Sequence, residues 1–305
     1  MKFSKSKSSN SKAQLEILYE DDNICVINKP SGLLSVPYSG SKNRTALSMV
    51  EEIMRKNGSY NNKHRPFAVH RLDRETSGIM MFALSEKAQK IIMDTWHQMV
   101  TERLYRAIAE NPKNKNLLLP KSGLIDDELA FNAHNIGFVP KDNLKENTEN
   151  RKFKTVTART NYKIIEQGKS HTLFELSLDT GKKNQIRAHL AGKGYPLAGD
   201  ENYRARTDYF HRLCLHACTL TFIHPFTNEK MHFEIPEPKE WQEYVQKGDL
   251  NPKTPIWIKE IERKFESFEQ ERFHSKKTNS TQNKGFLSKK QKAHMNYIEV
   301  GLQER

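Results

Sequence analysis

Apolar residues occupy every second position near the start of the chain, over residues 15–19 and again over residues 24–26. Alternation of this kind is typical of β-strands with one buried face. The intervening Asp21-Asp22-Asn23 favours a turn, so the pattern predicts a β-hairpin. Lys29-Pro-Ser-Gly32 ends the hairpin, because proline cannot donate a hydrogen bond to a strand ladder.

Two segments that follow have apolar residues at the three-to-four-residue spacing of helices. Thr45 is the predicted N-cap of the first helix, which stops at Asn57-Gly58. Ser85 is the predicted N-cap of the second, whose apolar positions between residues 88 and 99 share one face.

The rest of the central region returns to strand-like patterns, with Asn- and Lys-rich surface loops predicted at 111–122 and 140–153. The predicted elements are a strand at 104–109, a second hairpin at 156–164 and 173–178, a short helix around 186–190 and a last strand at 213–222. Hairpins with interspersed short helices predict an α+β fold with a mixed, mostly antiparallel sheet.

The two ends of the chain differ from this core, which we place at residues 14–250. Residues 1–13 are rich in Ser and Lys and are predicted to be disordered. Residues 251–305 form a basic extension in which Thr254-Pro255 opens a helix with apolar residues at helical spacing. We expect that apolar stripe to dock on the core rather than to bind a partner.

The net charge of +13 is concentrated at these ends. Residues 1–12 have four Lys and no acid, and residues 251–305 have twelve Lys and Arg against seven Asp and Glu. Such tails favour contact with a polyanion such as RNA. Solubility alone explains them equally well, so composition leaves both explanations open.

Composition also restricts the location of the chain. There is no apolar run of about 18 residues, which excludes a transmembrane helix, and the N-terminus has no apolar signal region. Three Cys are too few for a disulfide framework. We therefore expect a cytoplasmic, monomeric protein without membrane contact.

One polar stretch between two apolar arms, His70-Arg-Leu-Asp-Arg-Glu-Thr-Ser-Gly78, contains candidate chemistry. Asp73 lies between Arg71 and Arg74, and guanidinium groups favour an ionised carboxylate. A carboxylate held at a turn is a potential nucleophile. Residue types alone favour an ordinary charged turn, because such turns are common and active sites are few.

The same stretch resembles the signature of RluA-type pseudouridine synthases, His-Arg-Leu-Asp followed two residues later by Thr-Ser-Gly. Further segments are similar to the family's motifs in the same order. They are the opening from Ile17 to Leu34, Arg103-Leu-Tyr-Arg-Ala107, Leu178 to Ala191 with Gly199-Asp200 and Tyr203, and Leu215-His-Ala217 through Pro225. The resemblance covers residues 14–235.

This resemblance implies a pseudouridine synthase fold with a central catalytic cleft and the isomerisation of uridine to pseudouridine in RNA, which needs no cofactor. It assigns Asp73 as the catalytic carboxylate, Tyr105 as a stacking platform and proton-exchange group, and Arg187 as the ion-pair partner of Asp73. Whether Asp73 attacks C1′, attacks C6 or acts as a base stays open. Ribosomal RNA and transfer RNA are both open as substrates.

Residues around these three are expected to contact RNA. They are Arg71, Arg74, Thr76, Lys182, Lys183, Asn184 and Gln185. Two of them depart from the family pattern, because its usual Arg is Lys182 here and its usual His is Asn184. Both replacements keep hydrogen-bonding capacity, but lysine lacks the bidentate fork of arginine, so the family's detailed RNA contacts do not carry over directly to this loop.

Other kinds of function are less well supported by these residues. A non-catalytic RNA-binding or ribosome-assembly protein on the same fold would not need Asp73, Tyr105 and Arg187 together. A glycosidase usually needs two carboxylates, and no second one stands out near Asp73.

A metal site is also not expected. The group Cys214, His216 and Cys218 shares one strand face, but its two cysteines lie about 13 Å apart along the strand. That is too far for one zinc ion, so we interpret the group as core packing.

Overall fold

A mixed β-sheet forms the centre of the computed structural model, which describes residues 15–38, 40, 43–140 and 154–248. The expected disordered segment at 1–13 lies outside the described residues. So do the extension at 251–305, which was predicted to be helical, and nearly all of the loop predicted at 140–153.

The strands pair mainly with neighbours that run in the opposite direction. In chain order they are β1 (Glu16–Glu20), β2 (Ile24–Lys29), β3 (Phe67–Ala68), β4 (Ser77–Ala83), β5 (Val100–Glu110), β6 (Ser122–Ile125), β7 (Ala130–Phe131), β8 (Gly137–Phe138), β9 (Thr160–Gln167), β10 (His171–Leu178), β11 (Leu215–Ile223) and β12 (Lys230–Glu234). The described residues also form four helices, α1 (Ala46–Lys56), α2 (Glu86–Met99), α3 (Gln185–Gly192) and α4 (Lys239–Lys247). Lys115–Leu117 and Glu201–Tyr203 form short 3₁₀ turns.

Within the described residues, the main sheet has the order β1-β2-β4-β11-β5-β10-β9-β6, with β3 beside β4 and β12 beside β11. Of the strands named above for the described residues, only β4 and β11 pair in parallel, while β7 and β8 make a separate ribbon. The prediction of a mixed, mostly antiparallel α+β fold is confirmed. None of the described helices has the length and apolar character needed to span a membrane.

The predicted helix starts are confirmed by their capping hydrogen bonds. Thr45 Oγ1 accepts from the Ser48 amide, and Ser48 Oγ accepts from the Thr45 amide, so the two residues form a capping box. Ser85 Oγ accepts from the Ala88 amide at the start of α2. Each side chain satisfies a backbone donor that has no partner within the helix.

Some elements were missed or misplaced by the sequence pattern. Strand β5 begins at Val100 rather than at residue 104, and β11 is not the last strand, because β12 and α4 follow it. The apolar face of α4, Trp241, Tyr244 and Val245, is buried against the sheet beside Ile108 and Leu173.

The centre of the sheet is buried on both faces. All seven residues of β4 are buried, which explains their continuous apolar sequence. Met80 and Phe82 point into a cluster with α1, whereas Ile79 and Met81 belong to the cluster on the other face with α2. The residues just before β4, including Asp73, are therefore attached to a strand that is buried along its whole length.

Gly78, the second residue of this strand, has a conformation that other residues rarely adopt. Its φ is +114°, and a Cβ built there would lie 2.1 Å from the Ala217 carbonyl oxygen on the parallel strand β11. The close approach of β4 and β11 directly behind the Asp73 turn therefore requires glycine.

We expect Gly78→Ala to lower the free energy of unfolding by about 3 kcal/mol or more, because backbone strain adds to overpacking. Gly58→Ala is the control, since Gly58 also has a positive φ but no atom within 4 Å of a built Cβ. Its cost should stay at about 1–2 kcal/mol, which is the strain of a left-handed conformation alone. Urea unfolding of both variants measures the difference, and equal costs would contradict the role assigned to the β4–β11 contact.

Candidate active site

A cleft of about 480 Å³ opens where three distant parts of the chain meet. The Asp73 turn forms one wall, β5 contributes Arg103 and Tyr105, and residues 178–187 complete the cleft. Asp73, Tyr105 and Arg187, the three residues that the resemblance assigned to catalysis, all line it.

The Asp73 carboxylate is held by two donors from the far side of the cleft. Asn184 Nδ2 donates to Asp73 Oδ2 at 2.6 Å, and Arg187 Nη1 lies 3.4 Å from the same oxygen. About 20% of the Asp73 side chain is exposed. The carboxylate is therefore oriented by the protein while remaining accessible to a bound substrate.

Arg187 itself is fixed mainly by Asp200. Its Nε and Nη2 donate to the two Asp200 carboxylate oxygens at 2.7 Å each, and the Asp200 side chain is fully buried. Burial opposes the charge of Arg187, but the hydrogen bond and charge of Asp200, together with Asp73, outweigh this effect and raise the pKa of the guanidinium. The predicted Asp73 contact is thus present as the longer of two ion pairs.

Two tyrosines border this charged group. Tyr105 lies on β5 with 8% of its surface exposed, and burial raises the pKa of its hydroxyl, which keeps the proton on the oxygen at neutral pH. Tyr203 packs its ring against Arg187, 5.2 Å from the guanidinium carbon, and donates from its hydroxyl to the Gly137 carbonyl.

The end of β2 and the segment that follows it hold the backbone of the Asp73 turn by hydrogen bonds. Lys29 is fully buried, and its ammonium donates to the carbonyl oxygens of Arg74, Leu33 and Pro30 at 2.7–3.1 Å. Ser35 Oγ donates to the Leu72 carbonyl and accepts from the Leu72 amide. Burial lowers the pKa of Lys29 to about 8. The residues on either side of Asp73 are therefore fixed by hydrogen bonds.

His70 lines the cleft and is held in place by two neighbouring groups. Its Nε2 accepts a hydrogen bond of 2.9 Å from the Met81 amide in β4, and its ring packs on Trp96 with centroids 4.8 Å apart. Burial, with a smaller contribution from the charge of Arg103, lowers the pKa of His70 to about 3. The imidazole is therefore neutral at physiological pH, as an acceptor to a backbone amide must be.

The residues expected to contact RNA occupy different positions. Arg71, Thr76, Lys182, Asn184 and Gln185 line the cleft, whereas Arg74 and Lys183 are exposed outside it. Thr76 is buried. The side-chain amide of Gln185 accepts from the Thr180 hydroxyl and the Lys182 amide, and it donates to the Arg159 carbonyl and the Thr160 hydroxyl. These hydrogen bonds shape the loop before α3. Direct RNA contact by any of the seven stays a prediction.

The cysteine and histidine group on β11 has internal partners. His216 Nδ1 lies 2.8 Å from Ser77 Oγ, and its Nε2 lies 3.1 Å from the Ile235 carbonyl oxygen. Cys214 and Cys218 are buried, and burial raises the pKa of both thiols. Among the described residues, no three His, Cys, Asp or Glu side chains converge as metal ligands would.

Residues 23–192, more than half of the chain, match the RNA pseudouridylate synthase family. The chain belongs to this family. The resemblance to RluA-type pseudouridine synthases is thereby confirmed.

Relatives in the family include the ribosomal large subunit pseudouridine synthase D of Neisseria meningitidis serogroup A, which is 34% identical over 236 residues. That match covers 73% of this chain and 58% of the relative, so the chain spans less than two thirds of the relative's length. The uncharacterized RNA pseudouridine synthase YlyB of Bacillus subtilis is 33% identical over 238 residues, covering 76% of this chain and 72% of the relative.

Two solved structures of the family share the fold. Human RNA pseudouridylate synthase domain containing 4 superimposes with a TM-score of 0.58 at 22% identity, covering 74% of this chain and 90% of that one. Human RNA pseudouridylate synthase domain containing 1 gives 0.55 at 20% identity, covering 73% and 84%.

Within the family pattern, Asn184 is the departure that touches Asp73. Its backbone has φ +56° and ψ +20°, a left-handed conformation that asparagine adopts more readily than most residues. Asn184 therefore has two roles. Its backbone adopts the left-handed turn before α3, and its side-chain amide donates to Asp73. Sequence reasoning placed Asn184 among RNA contacts and did not find its link to Asp73.

We expect Asn184→Gly to lower the rate of uridine isomerisation about 10-fold or more, because a hydrogen bond to a charged group is lost. Glycine keeps the left-handed backbone, so the melting temperature should not fall. Asn184→His restores a ring N–H donor and should recover much of the rate. Timed carbodiimide mapping of pseudouridine measures each rate, and a wild-type rate for Asn184→Gly would contradict the positioning role.

Replacing His70 should change the response of stability to acid. The unfolded state binds a proton on this residue near pH 6.5, whereas the folded state binds it near pH 3, so His70 contributes stability that is lost as pH falls between these values. His70→Gln keeps an acceptor for Met81 but cannot titrate. Its unfolding free energy should fall less steeply with decreasing pH, by up to about 1.4 kcal/mol per pH unit. Parallel curves from urea unfolding between pH 4 and 7 would contradict this explanation.

Proposed function

We propose that this protein is an RNA pseudouridine synthase that isomerises specific uridines in structured RNA, with Asp73 as the catalytic carboxylate. The observation that supports it most is the convergence of Asp73, Tyr105 and Arg187 in one cleft from parts of the chain up to 114 residues apart. A non-catalytic RNA-binding protein would have no need of a carboxylate that is held and left accessible.

The reaction breaks the bond between uracil N1 and ribose C1′, turns the base over and joins C5 to C1′. Asp73 either attacks an electrophilic carbon, C1′ or C6, or acts as a base, and each of these roles uses an accessible carboxylate with a fixed direction. Asn184 and Arg187 supply that direction. Tyr105, whose hydroxyl keeps its proton, supplies a ring face for the uracil and a group for proton exchange at C5.

The uridine must leave its base stack to reach Asp73, which costs a few kcal/mol and is cheapest in loops. Four basic residues border the cleft against two acidic ones, so it suits the phosphates around an extruded nucleotide. The basic residues are Arg71, Arg103, Lys182 and Arg187, and the acidic ones are Asp73 and Asp179.

Large-subunit ribosomal RNA is the first substrate to examine, because the names of several relatives refer to the ribosomal large subunit. Transfer RNA is the second. The proposal also retains a monomeric enzyme in the cytoplasm, as expected from the sequence.

Mapping of pseudouridine in RNA treated with purified protein tests this function. RNA from a strain that lacks the gene is incubated with wild type, Asp73→Asn or Glu243→Gln, and carbodiimide-dependent reverse-transcription stops are compared. We expect new stops with wild type and a rate at least about 100-fold lower with Asp73→Asn, because the catalytic carboxylate is lost.

Glu243→Gln is the matched control. It makes the same carboxylate-to-amide change on the exposed surface of α4, where Glu243 pairs with Lys247, and should give the wild-type map. Identical maps from wild type and Asp73→Asn would exclude the proposed catalytic role, and an absence of stops with wild type would exclude the activity for these RNAs.

A further inference from the structure

A second cleft, of about 420 Å³, continues from the first. The two share five lining residues, which are Trp96, His97, Arg103, Leu178 and Asp179. The nucleotide that occupies the first cleft is covalently joined to neighbours, so the second cleft is within reach of the same RNA strand. No step of the proposed reaction uses this second cleft.

The second cleft exists because β5 extends beyond its neighbour. Strand β10 pairs with β5 as far as Leu104, opposite Ser177, and then ends. In the described part of the chain, residues 100–103 of β5 pair only with β11. The missing neighbour leaves a notch at the sheet edge, and residues 100–104 line it.

Trp96 lines both clefts, and its ring is held by two neighbouring side chains. It packs on the neutral His70 ring, and the guanidinium carbon of Arg103 lies 5.6 Å from the Trp96 ring centroid. His70 is in turn tied to the backbone of β4. An aromatic ring that is only partly buried and already oriented loses little conformational freedom when a flat group stacks on it.

The charge of the second cleft indicates that its ligand is a nucleobase rather than a phosphate group. Among the described residues, Arg103 is the only Arg or Lys that lines it, together with the acidic Glu102 and Asp179. Glu102 accepts from Thr221, and Asp179 accepts from Asn161 and Arg159, so both carboxylates are held as acceptors. Because Asp179 is ion-paired with Arg159, the cleft has no excess of positive charge to attract phosphate, whereas an aromatic face with polar neighbours suits a nucleobase.

We propose that the second cleft binds the base of a nucleotide adjacent to the extruded uridine, stacked on Trp96. This subsite rests on the proposed function, because the RNA strand must already pass through the first cleft. It would make the enzyme sensitive to whether the neighbouring nucleotide is free to unstack. Both the uridine and its neighbour would then have to be unpaired, so loops would be favoured over helices at two positions rather than one.

Binding of a short RNA to the full chain tests the subsite without turnover. The probe is fluorescein-labelled nonauridylate, and its anisotropy is measured with wild type, Trp96→Leu and Trp96→Phe. Stacking on an aromatic side chain contributes about 1–3 kcal/mol per base, so Trp96→Leu should weaken binding about 5- to 150-fold. Trp96→Phe keeps a ring and should stay within about threefold of wild type.

Two further measurements separate stacking from loss of structure. Trp96→Met, a second variant without a ring, must weaken binding as Trp96→Leu does while its melting temperature stays close to that of Trp96→Phe. The slope of log affinity against log salt should be the same for all variants, since no phosphate contact is removed.

Equal binding by wild type and Trp96→Leu would overturn the subsite. Equal weakening by the Phe and Leu variants, or a smaller salt slope for Trp96→Leu, would do the same. These outcomes are distinguishable from failure of the proposed function. A Trp96→Leu protein that binds and modifies RNA like wild type removes only the subsite, whereas a wild type that modifies no RNA removes the enzyme.

Discussion

Two hydrogen bonds of 2.7 Å join the Arg187 guanidinium to the buried carboxylate of Asp200, and the geometry of the cleft depends on this pair. A buried carboxylate without its partner is costly, by about 3–5 kcal/mol, so Asp200 holds Arg187 in one position. Arg187 can then reach Asp73 with its remaining nitrogen, Nη1. The longer contact to Asp73 is possible because the guanidinium is already oriented by a stronger one.

Asp73 is thus constrained from two directions by different kinds of interaction. Side chains from the loop and helix around residues 184–187 orient its carboxylate, and the buried Lys29 and Ser35 fix the backbone on both sides of it. The tight contact of Gly78 with β11 anchors the far end of the same turn. Holding the turn in this way costs stability at the buried Lys29, as its lowered pKa indicates. In return, the single carboxylate of Asp73 keeps its direction when a substrate enters.

Local sequence signals predicted much of this architecture. The caps at Thr45 and Ser85 and the first hairpin followed from nearest-neighbour chemistry, and the convergence of Asp73, Tyr105 and Arg187 followed from the resemblance. Helix α4 was predictable, since Trp241, Tyr244 and Val245 have helical spacing, but the pattern was overlooked.

The remaining features depend on tertiary geometry that spacing does not encode. The bond from Asn184 to Asp73 joins residues 111 positions apart, and the fork between Arg187 and Asp200 depends on how the chain returns after α3. The notch beside Trp96 arises because the pairing of β10 with β5 stops at Leu104, whereas β5 itself begins at Val100. The apolar pattern located the end of β10 at residue 178 but placed the start of β5 four residues too late.

The central claim is that the oriented Asp73 cleft converts uridine to its C5-linked isomer, and release of the C5 hydrogen measures that conversion directly. When C5 bonds to C1′, its original hydrogen must leave to solvent. Large-subunit ribosomal RNA made with uridine that carries tritium at C5 should therefore release tritium into water when the wild-type protein is added, up to a plateau set by a few specific uridines. No release from ribosomal RNA or transfer RNA, under conditions where the protein is folded and binds RNA, would contradict the account.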